Sequence, residues 1–438
     1  MNKVKPRVLP GFMELLPQDQ ILFNTMYDKI RKVYEKFGFL PLDTPTIEYS
    51  EVLLAKAGGE TEKQIYSFNK GETDLSLRFD LTVPLARYVS QRYADITFPF
   101  KRYQMSKVFR GERPQKGRFR EFYQCDIDVI GADNLDLIYD AEMPAVIYNV
   151  FKELNFGKFT IKINNRKILN GFFKYLELSN KVSDILRIID KIDKIGKDTV
   201  KEELLKIDIN VDNVDKILEF IAIDGSNEEI ITKLKNIPIK AEMYLQGVDE
   251  LEQVILNLAE FGVEAKYYKI DLTIARGLDY YTGSVYETVL DELPKLGSIC
   301  SGGRYDNLTE YYTNQKLPGI GISIGLTRLF SQLKEQNIIS SEKKSLTKVL
   351  VLPMENVNIK YALKVASMLR QKQINTDIYY TSKNLKQKIK YADKLGIEYV
   401  AIIGEEEENS KTVMIKNMIN GKQEKVSCDI AEIIKKIK

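Results

Sequence analysis

Residues Phe109–Ile130 read FRGERPQKGRFREFYQCDIDVI. The first half carries Arg110, Arg113, Lys116, Arg118 and Arg120, five cations able to face an anion. The second half alternates. A period of two sets Phe122, Gln124, Asp126 and Asp128 on one face of a strand and Tyr123, Cys125, Ile127 and Val129 on the other. One face suits a core. The other holds a ring, an amide and two carboxylates, a poor choice for stability alone, because unpaired buried carboxylates are costly. The stretch therefore reads as a strand, a basic loop and a second strand, forming the floor of a small-molecule site beside a polyphosphate site.

Outward from this stretch, bulk properties narrow the field. The chain has 438 residues, enough for about three domains at roughly 150 residues each. A formal net charge of +3 permits a nucleic-acid partner without demanding one. The N-terminus has no apolar core of a signal peptide, and no apolar run approaches a membrane span, so a cytoplasmic chain with no membrane partner is expected. Cys125, Cys300 and Cys428 are scattered without CxxC spacing, which argues against a disulfide framework or a zinc knuckle. The chain contains no histidine. That absence removes a Ser-His-Asp triad, a Cys-His pair, a histidine base and every histidine-based metal site. Any catalysis must use arginine, carboxylates, tyrosine, a bound metal or the substrate itself.

Toward the N-terminus, the spacing of Ile21, Met26, Ile30, Val33 and Phe37 predicts a helix over Gln18–Phe37, stopped by Gly38. FLPLDTPTIEY reads as a strand broken by Pro45. In LSLRFDLTVP, Leu75, Leu77, Phe79 and Leu81 alternate with Ser76, Arg78, Asp80 and Thr82, which predicts a strand with one polar face, and Pro84 suits the first turn of the helix after it. KRYQMSKVFR is a strand leading into the opening stretch. From about Lys167 to Phe261 the texture turns to Leu/Ile/Lys/Glu-rich helical segments, an insertion within a sheet domain. Strand signals return in AKYYKIDLTIARGLDYYTGSVYETVL, which holds Tyr280 and Tyr281 as strand neighbours pointing to opposite faces, so that at most one of them faces a site. The Gly-rich passages SICSGGRYDNL and PGIGISIGLTRLF follow, the second running from strand into helix. Beyond a linker, strands and helices alternate as a separate unit of α/β type with a mostly parallel sheet.

Several motifs are set aside. Gly321–Gly325 matches the GxSxG elbow of serine hydrolases, but no histidine exists to act as base. PGIGISIG lacks the βαβ context of a dinucleotide fingerprint, and no GxxxxGK[ST] loop occurs. Lys383, Lys386, Lys390 and Lys394 read as a solvated helix face. Arg110, Arg118, Arg276 and Arg328 each sit beside a turn or an element end, where a planar guanidinium suits phosphate oxygens.

These residues resemble a known family. FRGERPQKGRFREF resembles motif 2 of class II aminoacyl-tRNA synthetases, GIGISIGLTRL resembles motif 3, and GFLPLDTP resembles motif 1. ARGLDYYTGSVYE and SGGRYD resemble the two peptides peculiar to the histidyl-tRNA synthetase family. The resemblance implies an α+β catalytic domain on an antiparallel sheet over 1–335, with a helical insertion at about 180–250. It further implies a linker at 336–345 and an anticodon-binding domain over 346–438. It implies histidine activation by ATP with Mg²⁺, transfer to tRNA(His), and a homodimer. By the same resemblance, Arg110 holds the α-phosphate, Glu112 the adenine side, Phe122 the adenine face, and Arg118 and Arg328 the γ-phosphate. Asp80, Thr82 and Gln124 take the amino and carboxyl groups of L-histidine, Asp128 and Tyr281 its imidazole with Tyr305 nearby, and Arg276 steadies charge at the reacting groups. Arg113 and Gln115 are set to approach the tRNA acceptor end, and Asp126 has no role. The rival is a paralogue of the same fold that serves as regulatory subunit of ATP phosphoribosyltransferase. Such paralogues typically lack the C-terminal domain and have damaged motifs, whereas both are intact here.

Overall fold

The computed structural model describes residues 3–55, 60–113, 117–274, 280–355 and 357–437. The chain divides into two compact units, Met1–Met13 with Tyr27–Ile339, and Glu14–Met26 with Ser340–Lys438.

The larger unit is built on an eight-stranded sheet. In chain order its strands are β1 (Leu40–Pro41), β5 (Phe100–Phe109), β6 (Glu121–Ile130), β7 (Phe159–Asn165), β8 (Tyr268–Ile270), β9 (Ser284–Leu290), β10 (Cys300–Tyr305) and β11 (Gly319–Gly325). Across the sheet they run β1-β5-β6-β11-β10-β9-β7-β8. Pairings from β5 to β7 are antiparallel, and only the edge pairs β1–β5 and β7–β8 are parallel. A small second sheet pairs β2 (Ile47–Tyr49), β4 (Thr73–Leu77) and β3 (Ser67–Lys70) in that order. The short, broken β1 and β2 follow from Pro41 and Pro45, since proline cannot donate to a ladder.

The alternation of β6 holds. Cys125, Ile127 and Val129 are buried on the back face, where the Tyr34 hydroxyl of helix Pro17–Lys36 donates to the Cys125 carbonyl at 2.9 Å. The polar face looks into a cavity. One reading needs correction here. β4 ends at Leu77, so Asp80 lies in the connection after it and Thr82 opens helix Thr82–Gln91 instead of extending a strand. The alternation ran on only in the sequence. The Asp80 carboxylate accepts the Val83 N–H at 3.0 Å, and this local hydrogen bond wins over strand propagation.

Between β7 and β8 the chain is helical from Arg166–Tyr175 through Glu242–Glu260, as the texture of the sequence suggested. In the second unit, β12 (Val349–Pro353), β13 (Thr376–Ile378) and β14 (Tyr399–Ile403) form the expected parallel core. β15 (Thr412–Asn417) and β16 (Gln423–Ser427) extend it as an antiparallel pair. β16 escaped the sequence reading because only Val426 of QEKVS is buried. A charged edge strand carries almost no hydrophobic period. No helix among the described residues is long and apolar enough to cross a membrane.

Candidate active site

The polar face of β6 is the floor of a cavity of about 790 Å³. Phe122, Gln124, Asp126 and Asp128 all line it, joined by Ser323 and Gly321 of β11 and by Tyr305 at the end of β10. Strands place these groups because pairing is in register: Arg102 of β5 lies opposite Asp128, and Gly321 of β11 flanks it on the other side.

Asp128 is held from two sides. An Arg102 Nη2 lies 2.7 Å from its Oδ2, and the Tyr305 hydroxyl donates to its Oδ1 at 2.5 Å. Burial pushes the Asp128 pKa up, while the Arg102 charge and the Tyr305 hydrogen bond oppose the shift. Arg102 is fully buried and escaped the sequence reading. Periodicity gives a residue's face but not its neighbour across the strand. Gly321 and Gly319 make room for this arrangement: a Cβ on Gly321 would collide with the Asp128 carboxylate, and one on Gly319 with the Tyr305 ring. Tyr280 and Tyr281 precede β9 in the chain and do not belong to a strand. Freed from alternation, both rings line the cavity, meeting edge to face at 5.0 Å, which corrects the expectation that at most one would. Burial and the nearby Asp128 hold the Tyr281 phenol well above its ordinary pKa, so it is a neutral donor.

Asp80 and Thr82 also line the cavity. Burial raises the Asp80 pKa, against the Val83 N–H and the Arg110 charge. The Gln124 Nε2 donates to the Ser323 hydroxyl at 2.6 Å, and its buried Oε1 has no hydrogen-bond partner among the described residues.

At the other end stand three arginines, of which Arg118 is the most exposed. The Arg110 guanidinium lies over the Phe79 and Phe122 rings, 4.3 and 5.1 Å from their centroids. Burial lowers its pKa, opposed by Asp80 and Glu112. Arg118, with 47% of its side chain exposed, pairs with Glu112 at 3.1 Å. Arg328 lines the same cavity from helix Leu326–Glu335 and donates to the Leu296 carbonyl. Arg113 is exposed and outside the lining. Arg276, Gln115 and Lys116 lie outside the described residues. Among the described residues no three His, Cys, Asp or Glu side chains converge on a point that could hold a metal. A hard cation at this end would meet Glu112 or Glu287 and would need its remaining oxygens from a bound phosphate.

The cavity thus joins a buried, hydrogen-bonding pocket of carboxylates and phenols to an arginine-lined mouth. It suits a small amino-bearing molecule next to a polyanion. Residues 11–329 match the family model for histidyl-tRNA synthetase, and residues 348–438 that for an anticodon binding domain. A histidine–tRNA ligase of Clostridium tetani is 60% identical over 436 residues, covering 99% of this chain and 98% of that one. The crystal structure of histidyl-tRNA synthetase from Nostoc sp. PCC 7120 superposes with a TM-score of 0.89 at 44% identity, covering 99% of this chain and 100% of that chain. An ATP phosphoribosyltransferase regulatory subunit/histidyl-tRNA synthetase from Bacillus halodurans shares the fold alone, with a TM-score of 0.74 at 18% identity over 92% of this chain and 99% of that chain.

Proposed function

This chain belongs to the histidyl-tRNA synthetase family, and from that premise we propose how its cavity works. The protein is an aminoacyl-tRNA ligase for histidine. It activates L-histidine with ATP to the adenylate, releasing pyrophosphate, and then passes histidine to the 3′ end of tRNA(His). The observation that carries the reading of the site is the clamped Asp128 on the cavity floor.

Imidazole has two ring nitrogens, so its recognition needs a partner on each. Asp128 is the acceptor and Tyr281 the phenol facing it, with Tyr305 steadying the carboxylate. Asp80, Thr82 and Gln124 take the ammonium and carboxylate. Arg110 meets the α-phosphate, Glu112 and Phe122 the adenine, and Arg118 and Arg328 the γ-phosphate. Mg²⁺ enters with ATP as part of the nucleotide substrate and spreads the phosphate charge. In the first step a histidine carboxylate oxygen attacks the α-phosphorus and pyrophosphate leaves. Two anions meet there, so fixed cations do the work and no protein base is required. Arg276 is the cation assigned to the reacting groups. In the second step the terminal ribose hydroxyl attacks the adenylate carbonyl and AMP leaves. Arg113 and Gln115 guide the tRNA end.

We further infer a cytoplasmic homodimer. In the small sheet, Tyr49 and Phe68, 59% and 41% exposed, flank Leu75 on one side. On the opposite side, Ser76 is hydrogen-bonded to Ser50 and Ser67. An apolar stripe turned outward over a satisfied polar layer suits a face covered by a second copy. We assign 1–335 to the catalytic domain, 336–345 to a linker and 346–438 to anticodon binding.

Histidine-dependent exchange of pyrophosphate into ATP, followed by charging of tRNA, tests the reading. No exchange with ample histidine, ATP and Mg²⁺ overturns it. Removing residues 346–438 is expected to spare exchange and cripple charging. Full charging by the shortened chain would take anticodon reading away from that segment.

A further inference from the structure

The cavity floor holds a second carboxylate beside Asp128, and the proposed function gives it no part. Asp126 lies between Gln124 and Asp128 on β6 and is 2% exposed. Gln104 of β5 and Ser323 of β11 flank it in register. Gln104 is committed elsewhere, its Nε2 donating to Asp43 at 2.8 Å and to Thr44 at 3.2 Å. Ser323 accepts from Gln124, which leaves its own proton for Asp126. The Asp126 Oδ1 is buried with no hydrogen-bond partner among the described residues. Burial raises its pKa to about 7; Arg102 and Ser323 oppose this, and Asp128 and Asp80 add to it.

An acceptor in this state works against folding, since a buried polar atom without a donor keeps its full desolvation cost. Asp128, two residues on, has a protein group at each oxygen: the Tyr305 hydroxyl donates to Oδ1, and Oδ2, which accepts no hydrogen bond, lies 2.7 Å from Arg102 Nη2 in an ion pair. Asp126 has been given a hydroxyl and a share of the Arg102 field, but nothing for Oδ1. Local rules broken without a compensating contact concentrate where a ligand supplies the contact.

We propose that Asp126 is a specificity-determining residue for the amino-acid substrate, its Oδ1 accepting an N–H from the bound amino acid. The ligand chemistry is a nitrogen donor, either the α-ammonium or an imidazole N–H. The inference rests on the reading of this cavity as the histidine site. Asp126 adds a third acceptor to the pair at Asp80 and Asp128, so the pocket selects for two nitrogen groups held at a set distance.

The test is pyrophosphate exchange by the full chain and its Asp126→Asn variant, with thermal unfolding of each. The expected result is a histidine KM raised by about tenfold or more, as for the loss of a charge-assisted hydrogen bond. The ATP KM stays within about twofold of the parent, and the melting temperature is equal or higher. Inhibition by histidinol and by imidazolepropionate locates the donor. Weakened histidinol binding with imidazolepropionate unaffected marks the ammonium, and weakening of both marks the imidazole. If the variant matches the parent in histidine KM, or melts lower with histidine KM unchanged, Asp126 is a structural residue and the inference falls while the proposed function stands. If the parent shows no exchange with histidine, both fall.

Discussion

The two ends of the cavity are built on opposite terms. At the floor, Asp128, Arg102 and Tyr305 are each almost wholly buried on strands and locked in short contacts. At the mouth, Arg118 and Glu112 form a partly exposed pair beside the basic loop, and Arg113 stands in solvent. The difference fits the ligand proposed for each end. An imidazole is small, nearly neutral and directional, so groups set before it arrives can discriminate it by hydrogen bonding. A triphosphate carries its own large charge, and a half-solvated arginine such as Arg118 can leave a weak ion pair for it at little cost.

Removing a partner at the floor should therefore cost the most. Asp128→Ala is expected to raise the histidine KM by about 10³-fold in pyrophosphate exchange, since a site built on such hydrogen bonds discriminates by roughly 10⁴ or more. The ATP KM should move far less, and equal shifts in both would break the division between floor and mouth. The same change leaves Arg102 buried without its carboxylate, a loss of about 3–5 kcal/mol of stability readable in urea unfolding.

Next comes Arg276→Ala, where adenylate formation should slow by at least about 10²-fold in single turnover with a modest effect on ATP binding. An unchanged rate would remove Arg276 from the chemistry. At the mouth, Arg118→Ala should raise the ATP KM by about tenfold and leave the histidine KM alone, as for one charge-assisted contact to phosphate. A histidine effect of similar size would mean that the two ends are coupled.

The smallest effect is on pH dependence. The folded Asp126 pKa of about 7 lies above the unfolded value of roughly 3.9. Between these values the unfolded chain loses its proton while the folded one keeps it, so this group makes folding less favourable as pH rises from about 4 to about 7. Asp126→Asn removes that contribution. Its melting temperature should gain on the parent across this window by a few degrees, and a constant difference would show that Asp126 is ionised in the free enzyme.

The sequence carried β6 well because its alternation coincided with a real boundary between core and cavity. The glycine-rich β11 and the helix beginning at Leu326 were legible for the same reason, a strand period giving way to a helical one. Asp80 and Thr82 line the same cavity as Gln124 and Asp128 but do not stand on the strand that their alternation implies, since the period of leucines runs past the end of β4 into a connection held by one side-chain hydrogen bond. Tyr280 and Tyr281 show the same limit: adjacency implies opposite faces only inside a strand. Arg102 was invisible because its importance lies in what faces it across the β5–β6 pairing. The alternation of β6 puts Asp126 on the polar face, but the lack of a hydrogen-bond partner for its Oδ1 depends on β5 and β11, which the sequence period does not bring beside it.

Gly321 and Gly319 carry a consequence for inheritance. Each adjoins a side chain proposed to read the substrate, and a Cβ at either position would collide with it. A missense change at a glycine codon always yields a larger residue. Every missense step at these two positions therefore strikes the Asp128 carboxylate or the Tyr305 ring before it can reshape the pocket. On the proposed reading, neither of these two positions can tune amino-acid preference without disturbing the side chain beside it. A lineage that came to prefer another side chain would have to change reader and glycine together, a double event that selection sees only when complete. On the roles proposed for Asp128 and Tyr305, the recognition of histidine is guarded in part by two places where the protein has no side chain at all.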